Sequence, residues 1–229
     1  MGYIMEGVKE AFNLLLSLDR EIYSIILLSI FVSFTSTIIS AVIGTPIGLF
    51  LALKKFKLKK MVTRLLYTFM SLPPVVVGLF VAIIISRRGP LGHLGLLFTP
   101  SAMIIAQTLL ITPIIMGITF NNAKEQGQEI RQICMTLGGN RWDTLILLIK
   151  EMRISILIAI VTGFGRAISE VGAVMLVGGN ILGHTRVMTT FIAMNNSMGN
   201  YSMSIAMGTV LLVISFIVNS ILYKYVVGD

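Results

Sequence analysis

The chain has 229 residues, of which 55% are hydrophobic and 12% charged, with a mean hydropathy of +0.91. A soluble domain carries roughly 25% charged residues and about 45–50% apolar ones, so the composition argues against a soluble globular fold and against a disordered chain. The formal charge of +8 is therefore read first against a membrane and not against nucleic acid. The single cysteine, Cys134, leaves no intrachain disulfide and no cysteine-based metal centre; two histidines, His93 and His184, leave little for a His-rich one.

In chain order, residues 1–21 read as an outer amphipathic segment. Ile4, Val8, Ala11, Leu15 and Leu18 fall on one helical face, with Glu6, Lys9, Glu10, Asn13 and Ser17 elsewhere. Glu6 and Glu10 replace the basic start of a signal peptide, and no small-residue cleavage site precedes the first apolar run. A membrane-crossing helix needs about 20 mostly apolar residues. Five runs meet that length, at about 22–53, 65–86, 100–121, 154–177 and 202–223. They lack barrel alternation, so the expected fold is an all-α polytopic membrane protein with a transmembrane domain over 22–226. Pro46, Pro73, Pro74 and Pro113 lie within apolar runs and are expected to kink them.

Twelve basic residues follow spans one, three and five: Lys54, Lys55, Lys57, Lys59, Lys60 and Arg64; then Lys124, Arg131, Arg141, Lys150 and Arg153; then Lys224. Five fall on the other side: Lys9, Arg20, Arg87, Arg88 and Arg186. The richer side faces the cytoplasm, which puts the N-terminus outside and the C-terminus inside. Residues 122–153 form the one long polar stretch. Ala123 to Leu137 fits a helix, Gly138-Gly139 a break, and Asn140 to Ile149 a second helix. Asn140 is placed to cap it, with Asp143 three residues on. Trp142 beside Arg141 suits either a docking anchor for a partner protein or an anchor among lipid headgroups.

The stretch from Gln132 to Trp142 resembles the cytoplasmic EAA loop of ABC importer permeases of the binding-protein-dependent type. Gln132, Ile133 and Cys134 hold the triplet positions and Gly138 the following glycine; Lys150-Glu151 stands where the family often has Leu-Pro. Three further stretches resemble oxyanion permeases: Gly44-Thr45-Pro46-Ile47-Gly48, Ser71 to Gly78, and Gly165 to Val174 with its Arg-x-x-Ser-Glu string. Val177 to Ile181 and Thr185 to Thr190 are most similar to the tungstate branch. The resemblance implies a coupling helix that docks on an ATPase through Gln132, Gly138, Gly139, Asn140, Arg141, Trp142 and Asp143. It also implies a homodimer in the inner membrane, two ATPase subunits and an extracytoplasmic substrate-binding protein. Tungstate is the expected substrate, with molybdate, sulfate or another small oxyanion as the alternative. ATP and magnesium would be used by the partner ATPase, and this chain, which has no Walker A string, would bind no cofactor and no metal.

Within the spans, Arg166 and Glu170 are four apart and share a helical face. A charge at the bilayer centre costs about 2.5–3.5 kcal/mol on insertion scales, so the two should pair and face protein or water. With Ser169 they either line the translocation route or the subunit interface, or the two charges form a neutralised packing pair. Ser33, Thr37 and Ser40 stand on one face of span one with Ser29, Gly44 and Gly48. Hydroxyls suit an oxyanion's acceptor oxygens, and small residues equally suit close helix packing. An ATP-independent channel or an integral membrane enzyme are the readings from other classes. The enzyme reading needs a catalytic cluster, and no histidine accompanies the inner acids Glu125, Glu129, Asp143, Glu151 and Asp229.

Overall fold

The computed structural model describes residues 5, 7, 9–11, 19–54 and 56–227. Most of the amphipathic segment falls outside the described residues. Of its described part, Ala11 is buried in a cluster with Ile25, Phe164 and Met207, so this stretch packs on the bundle. Helix α1 spans Arg20–Leu53 and opens on Asp19, whose carboxylate accepts the Glu21 N–H at 2.8 Å. At 34 residues it is ~51 Å long, more than the ~30 Å hydrocarbon core. Its freed C-terminal carbonyls are met by Lys59, whose Nζ donates to Ala52 O at 2.7 Å and Lys54 O at 3.2 Å, a cation placed where the helix dipole is negative.

The second apolar run does not form one straight span. It divides into α2, Lys59–Met70, and α3, Pro74–Ile85, bent by 95° at Ser71–Pro73. The Pro73-Pro74 pair thus makes a corner and not a kink. Pro74 is at the first position of α3, where a missing N–H costs nothing, and a residue before proline is pushed out of the helical region. By contrast, α1 runs unbroken through Pro46, and α4, Pro100–Thr136, runs unbroken through Pro113.

Helix α4 corrects another expectation. The helix foreseen at Ala123 to Leu137 is not separate; it is the continuation of span three in one 37-residue helix. Asn121, Asn122 and Lys124 mark the end of the apolar stretch, but none of them breaks a helix. Thr99 caps its start, accepting the Ala102 N–H at 3.3 Å. Beyond it come α5, Arg141–Glu151; α6, Arg153–Ile168; and α7, Gly172–Gly178. The pair α6 and α7 forms the fourth span, bent by 58° next to Ser169–Val171. Helix α8, Met188–Ser197, was not anticipated; it precedes α9, Tyr201–Val227, the fifth span. Counting each bent pair once, the described residues hold five candidate spans.

Helices α1 and α4 are the central pair. A methyl carbon added at Gly44 would lie 3.0 Å from Thr112 O, and one at Gly48 only 2.6 Å from Met116 O. The two backbones therefore touch, as small residues permit between membrane helices. The hydroxyls of α1 hold the same seam. Ser36 Oγ donates to Gln107 Oε1 at 2.9 Å, and Ser40 Oγ to Thr108 O at 3.3 Å. Gln107 passes the link on, donating through Nε2 to Ala167 O near the end of α6 at 3.0 Å. Outward from this seam, Phe31, Phe34, Ile38 and Val42 of α1 and Leu212, Phe216 and Ile217 of α9 are exposed. Such a girdle belongs against lipid or another membrane helix.

The cation-rich segments gather at one end. Arg131 Nη1 reaches Leu53 O at 3.4 Å, and Leu49, Ala52, Leu66, Phe120 and Leu148 share one core there. Arg186 lies at the other end, 4.0 Å from Glu21 at the start of α1.

Candidate functional site

The cation-rich end carries an elbow between α4 and α5, built from backbone rules. Gly138 has φ +81 and follows Leu137, the residue that caps the C-terminus of α4. Its N–H bonds Met135 O at 3.1 Å, and the Gly139 N–H bonds Cys134 O at 2.9 Å. That is the Schellman closure of a helix, which favours glycine at the left-handed position. Gly139 is needed for a different reason: a methyl carbon there would lie 2.5 Å from Cys134 Sγ. Asn140 then caps α5, its Oδ1 accepting from Trp142 N at 2.7 Å and Asp143 N at 3.1 Å. Asp143 Oδ2 accepts the Asn140 N–H at 2.8 Å in return, completing the reciprocal box foreseen from the sequence. A cap of this kind contributes about 1 kcal/mol. These bonds and the close approach at Gly139 set the elbow's angle in this structure.

Helix α5 shows two apolar faces. Leu148 is fully buried with Met152, and Thr144 and Leu145 lie beside them, packed against α4 and the end of α1. Trp142, Ile146 and Ile149, at i, i+4 and i+7, point the other way. Trp142 is 74% exposed, and Leu137 on the preceding turn is 82% exposed. Gln132 is exposed on the outer turn of α4, and Arg141 opens α5. The residues expected to dock a partner are thus all brought to one elbow. Ile146, Ile149 and Leu137 were missed, although the helical spacing from Trp142 could have found the first two. An uncovered tryptophan with neighbouring aliphatics on a short rigid helix has the make-up of a protein-docking hot spot.

The intramembrane residues meet elsewhere, where the fourth span bends. Arg166 Nη2 lies 3.7 Å from Glu170 Oε2; Glu170 is 6% exposed and the Arg166 side chain 45%. Glu170 Oε1 accepts the Ala173 N–H at 3.2 Å, so the carboxylate also caps the start of α7. Thr189 Oγ1 donates to Glu170 O at 2.8 Å and ties the bend to α8. Ser29, Ser33, Gln107, Glu170 and Thr189 surround a cavity of about 10 Å³, room for roughly one water. Ser169 is exposed and bonds back to Gly165 O at 2.8 Å. Thr37 Oγ1 is turned onto Ser33 O at 2.6 Å, and Ser40 is engaged with α4. The structure therefore joins Ser33 to the Glu170 cavity and places Thr37 and Ser40 further along the helix seam. Gln107 and Thr189 are the polar neighbours that the sequence reading missed.

A bundle of apolar helices with an exposed apolar girdle and a capped elbow at its cation-rich end defines an integral membrane protein. The chain belongs to the family described as the binding-protein-dependent transport system inner membrane component, which matches residues 44–227. It is 54% identical over 224 residues to the tungstate uptake system permease protein TupB of Peptoclostridium acidaminophilum, covering 98% of each chain. It is 34% identical to the TupB of Campylobacter jejuni, over 98% of this chain and 94% of that one. A probable anion ABC transporter permease of Haloferax volcanii is 39% identical over 86% of this chain and 88% of its own.

Proposed function

We propose that this chain is the permease subunit of an ATP-driven tungstate importer, working as a homodimer with two ATPase subunits and an extracytoplasmic binding protein. The observation that carries the coupling half is the uncovered face of Trp142, Ile146 and Ile149 on an elbow with no free hinge. The full-length similarity to two permeases named for tungstate uptake supports the substrate. The cation-rich end faces the cytoplasm, in keeping with the bias of basic residues to that side, so the N-terminus is outside and the C-terminus inside.

The mechanism follows from the elbow. Each α5 seats its exposed face on one ATPase subunit. ATP, with its magnesium, binds that partner and draws the two ATPase subunits together. The elbow cannot fold under this load, because Gly138, Gly139 and the Asn140–Asp143 box fix it, so the displacement passes into α4 and through the α1–α4 seam into the spans. This is a rigid-body switch between two states that nucleotide binds with different affinity. The Arg166–Glu170 pair stands at the bend of the fourth span, where such a switch would repack helices.

Elemental analysis of cells offered equimolar tungstate and molybdate tests the substrate. Cells with the protein are expected to accumulate tungsten several-fold over cells without it, and more tungsten than molybdenum. Equal tungsten in both strains would remove the proposal; equal gains of both metals would remove the preference for tungstate.

A further inference from the structure

Helix α2 crosses α4 instead of running beside it. At one end, Lys59 Nζ lies 5.9 Å from the centre of the Phe120 ring. At the other, the Met70 side chain fills the space in front of Gly117. A 12-residue helix is ~18 Å long, yet its two ends meet α4 within one turn of each other. The crossing falls where α4 passes from apolar sequence to Asn121, Asn122 and Lys124, and α3 departs from it at 95°. With α4 upright in the bilayer, α2 therefore lies flat at the depth where the bilayer meets water, and of this bent pair only α3 enters the bilayer.

Its faces suit that position. Leu66 is buried against α1 and α4. Met61, Leu65 and Phe69, at i, i+4 and i+8, form an exposed apolar ridge, 58%, 43% and 48% exposed. Beside it runs a polar ridge on which Lys60 and Arg64, four apart, are exposed, and Lys57, just before the helix, is exposed as well. Tyr67, on the far side of the polar ridge, donates to Asn121 Oδ1 of α4 at 2.6 Å. Lys59 is engaged with the end of α1 and Lys54 lies over the Phe50 ring. Among the described residues no acid pairs with Lys57, Lys60 or Arg64.

We propose that α2 is a contact for anionic phospholipid. Met61, Leu65 and Phe69 enter the acyl region, and Lys57, Lys60 and Arg64 take the headgroup phosphates. An interfacial helix binds by this combination of buried apolar area and attraction to anionic lipid, and charge complementarity selects the occupant over a neutral lipid. Such a contact requires α2 to lie at the membrane surface; it requires neither the ATPase nor the substrate.

The test uses the full-length protein reconstituted in phosphatidylcholine vesicles with trace spin-labelled phosphatidylglycerol or spin-labelled phosphatidylcholine. The protein is expected to restrict the phosphatidylglycerol probe preferentially, with the preference weakened by added salt. Each cation removed should lower that preference by about fivefold, so the Lys60→Gln/Arg64→Gln variant approaches the neutral probe. The control Lys150→Gln, on α5, should leave it unchanged, and Lys60→Arg should retain it. Equal restriction of both probes by the unaltered protein would overturn the proposal. So would a double variant that keeps its lipid preference while losing a bound ATPase, since the cations would then serve a protein partner.

Discussion

Gly48→Leu is expected to unseat the central helix pair. An added methyl carbon at that position already stands 2.6 Å from Met116 O, 3.1 Å from Thr119 Cβ and 3.3 Å from Phe120 N. Two of these three neighbours are backbone atoms of α4, which no rotamer change can move aside. Overpacking of a well-fitted interior costs typically 1–3 kcal/mol, and a branched side chain between touching backbones belongs at the upper end. The separation would also lengthen the bonds from Ser40 to Thr108 and from Ser36 to Gln107, which use the same seam. The thermal midpoint of the purified protein in detergent should fall by several degrees, at about 2–4 °C for each kcal/mol in a chain of this size. Gly48→Ala should give a smaller loss in the same direction. Gly208→Ala, in α9 with nothing within 4 Å of the added carbon, should give none. A Gly48→Leu protein as stable as the parent would mean that the α1–α4 contact is not what holds the bundle.

The second large effect falls on coupling and leaves the fold alone. Trp142 and Ile146 are exposed, at 74% and 52%, and their removal opens no cavity in the core. Trp142→Ala/Ile146→Ala should therefore keep the parent's thermal midpoint. If the two side chains are the anchors of a docking face, each costs 2 kcal/mol or more on truncation. Together that is about a thousandfold in affinity, and the ATPase subunit should no longer co-purify. Gly138→Asp should act by another route. The left-handed conformation costs a non-glycine residue about 1–2 kcal/mol, so the elbow loses its set angle while the apolar face remains. Undiminished co-purification of the ATPase with the double variant would show that the face is not the docking surface.

Much of this architecture can be read directly from residue order, because the bilayer imposes simple rules. A 20-residue apolar run is a span by length alone. The Asn140–Asp143 box was legible because capping is a local hydrogen-bond exchange over three residues. What escaped depends on direction. Hydropathy counts residues and not angles, so Lys59–Met70 with Pro74–Ile85 looks the same straight or bent by 95°. Polarity at Asn121 and Asn122 marks where lipid ends; it does not end a helix, and α4 continues to Thr136. Composition alone does not tell which apolar residues of α5 face the bundle; the burial of Leu148 and Met152 sets that face, and the helical spacing from Trp142 then puts Ile146 and Ile149 on the uncovered one. Within the hydroxyl stripe of α1, Ser40 is bonded to Thr108 O while Ser33 lines the Glu170 cavity, a division that spacing on one helix does not carry because it depends on what faces each side chain.

In the proposed function, these spans move an anion only when the elbow is pushed by a separate ATPase. Proteoliposomes containing the permease, its ATPase and its binding protein, with ATP on the ATPase side, test it directly through tungsten retained after filtration. Uptake should require ATP and should fall to the background of empty vesicles when Trp142→Ala/Ile146→Ala replaces the parent chain. Uptake at the parent rate without the ATPase, or with the altered elbow, would contradict the claim and leave an unassisted channel in its place.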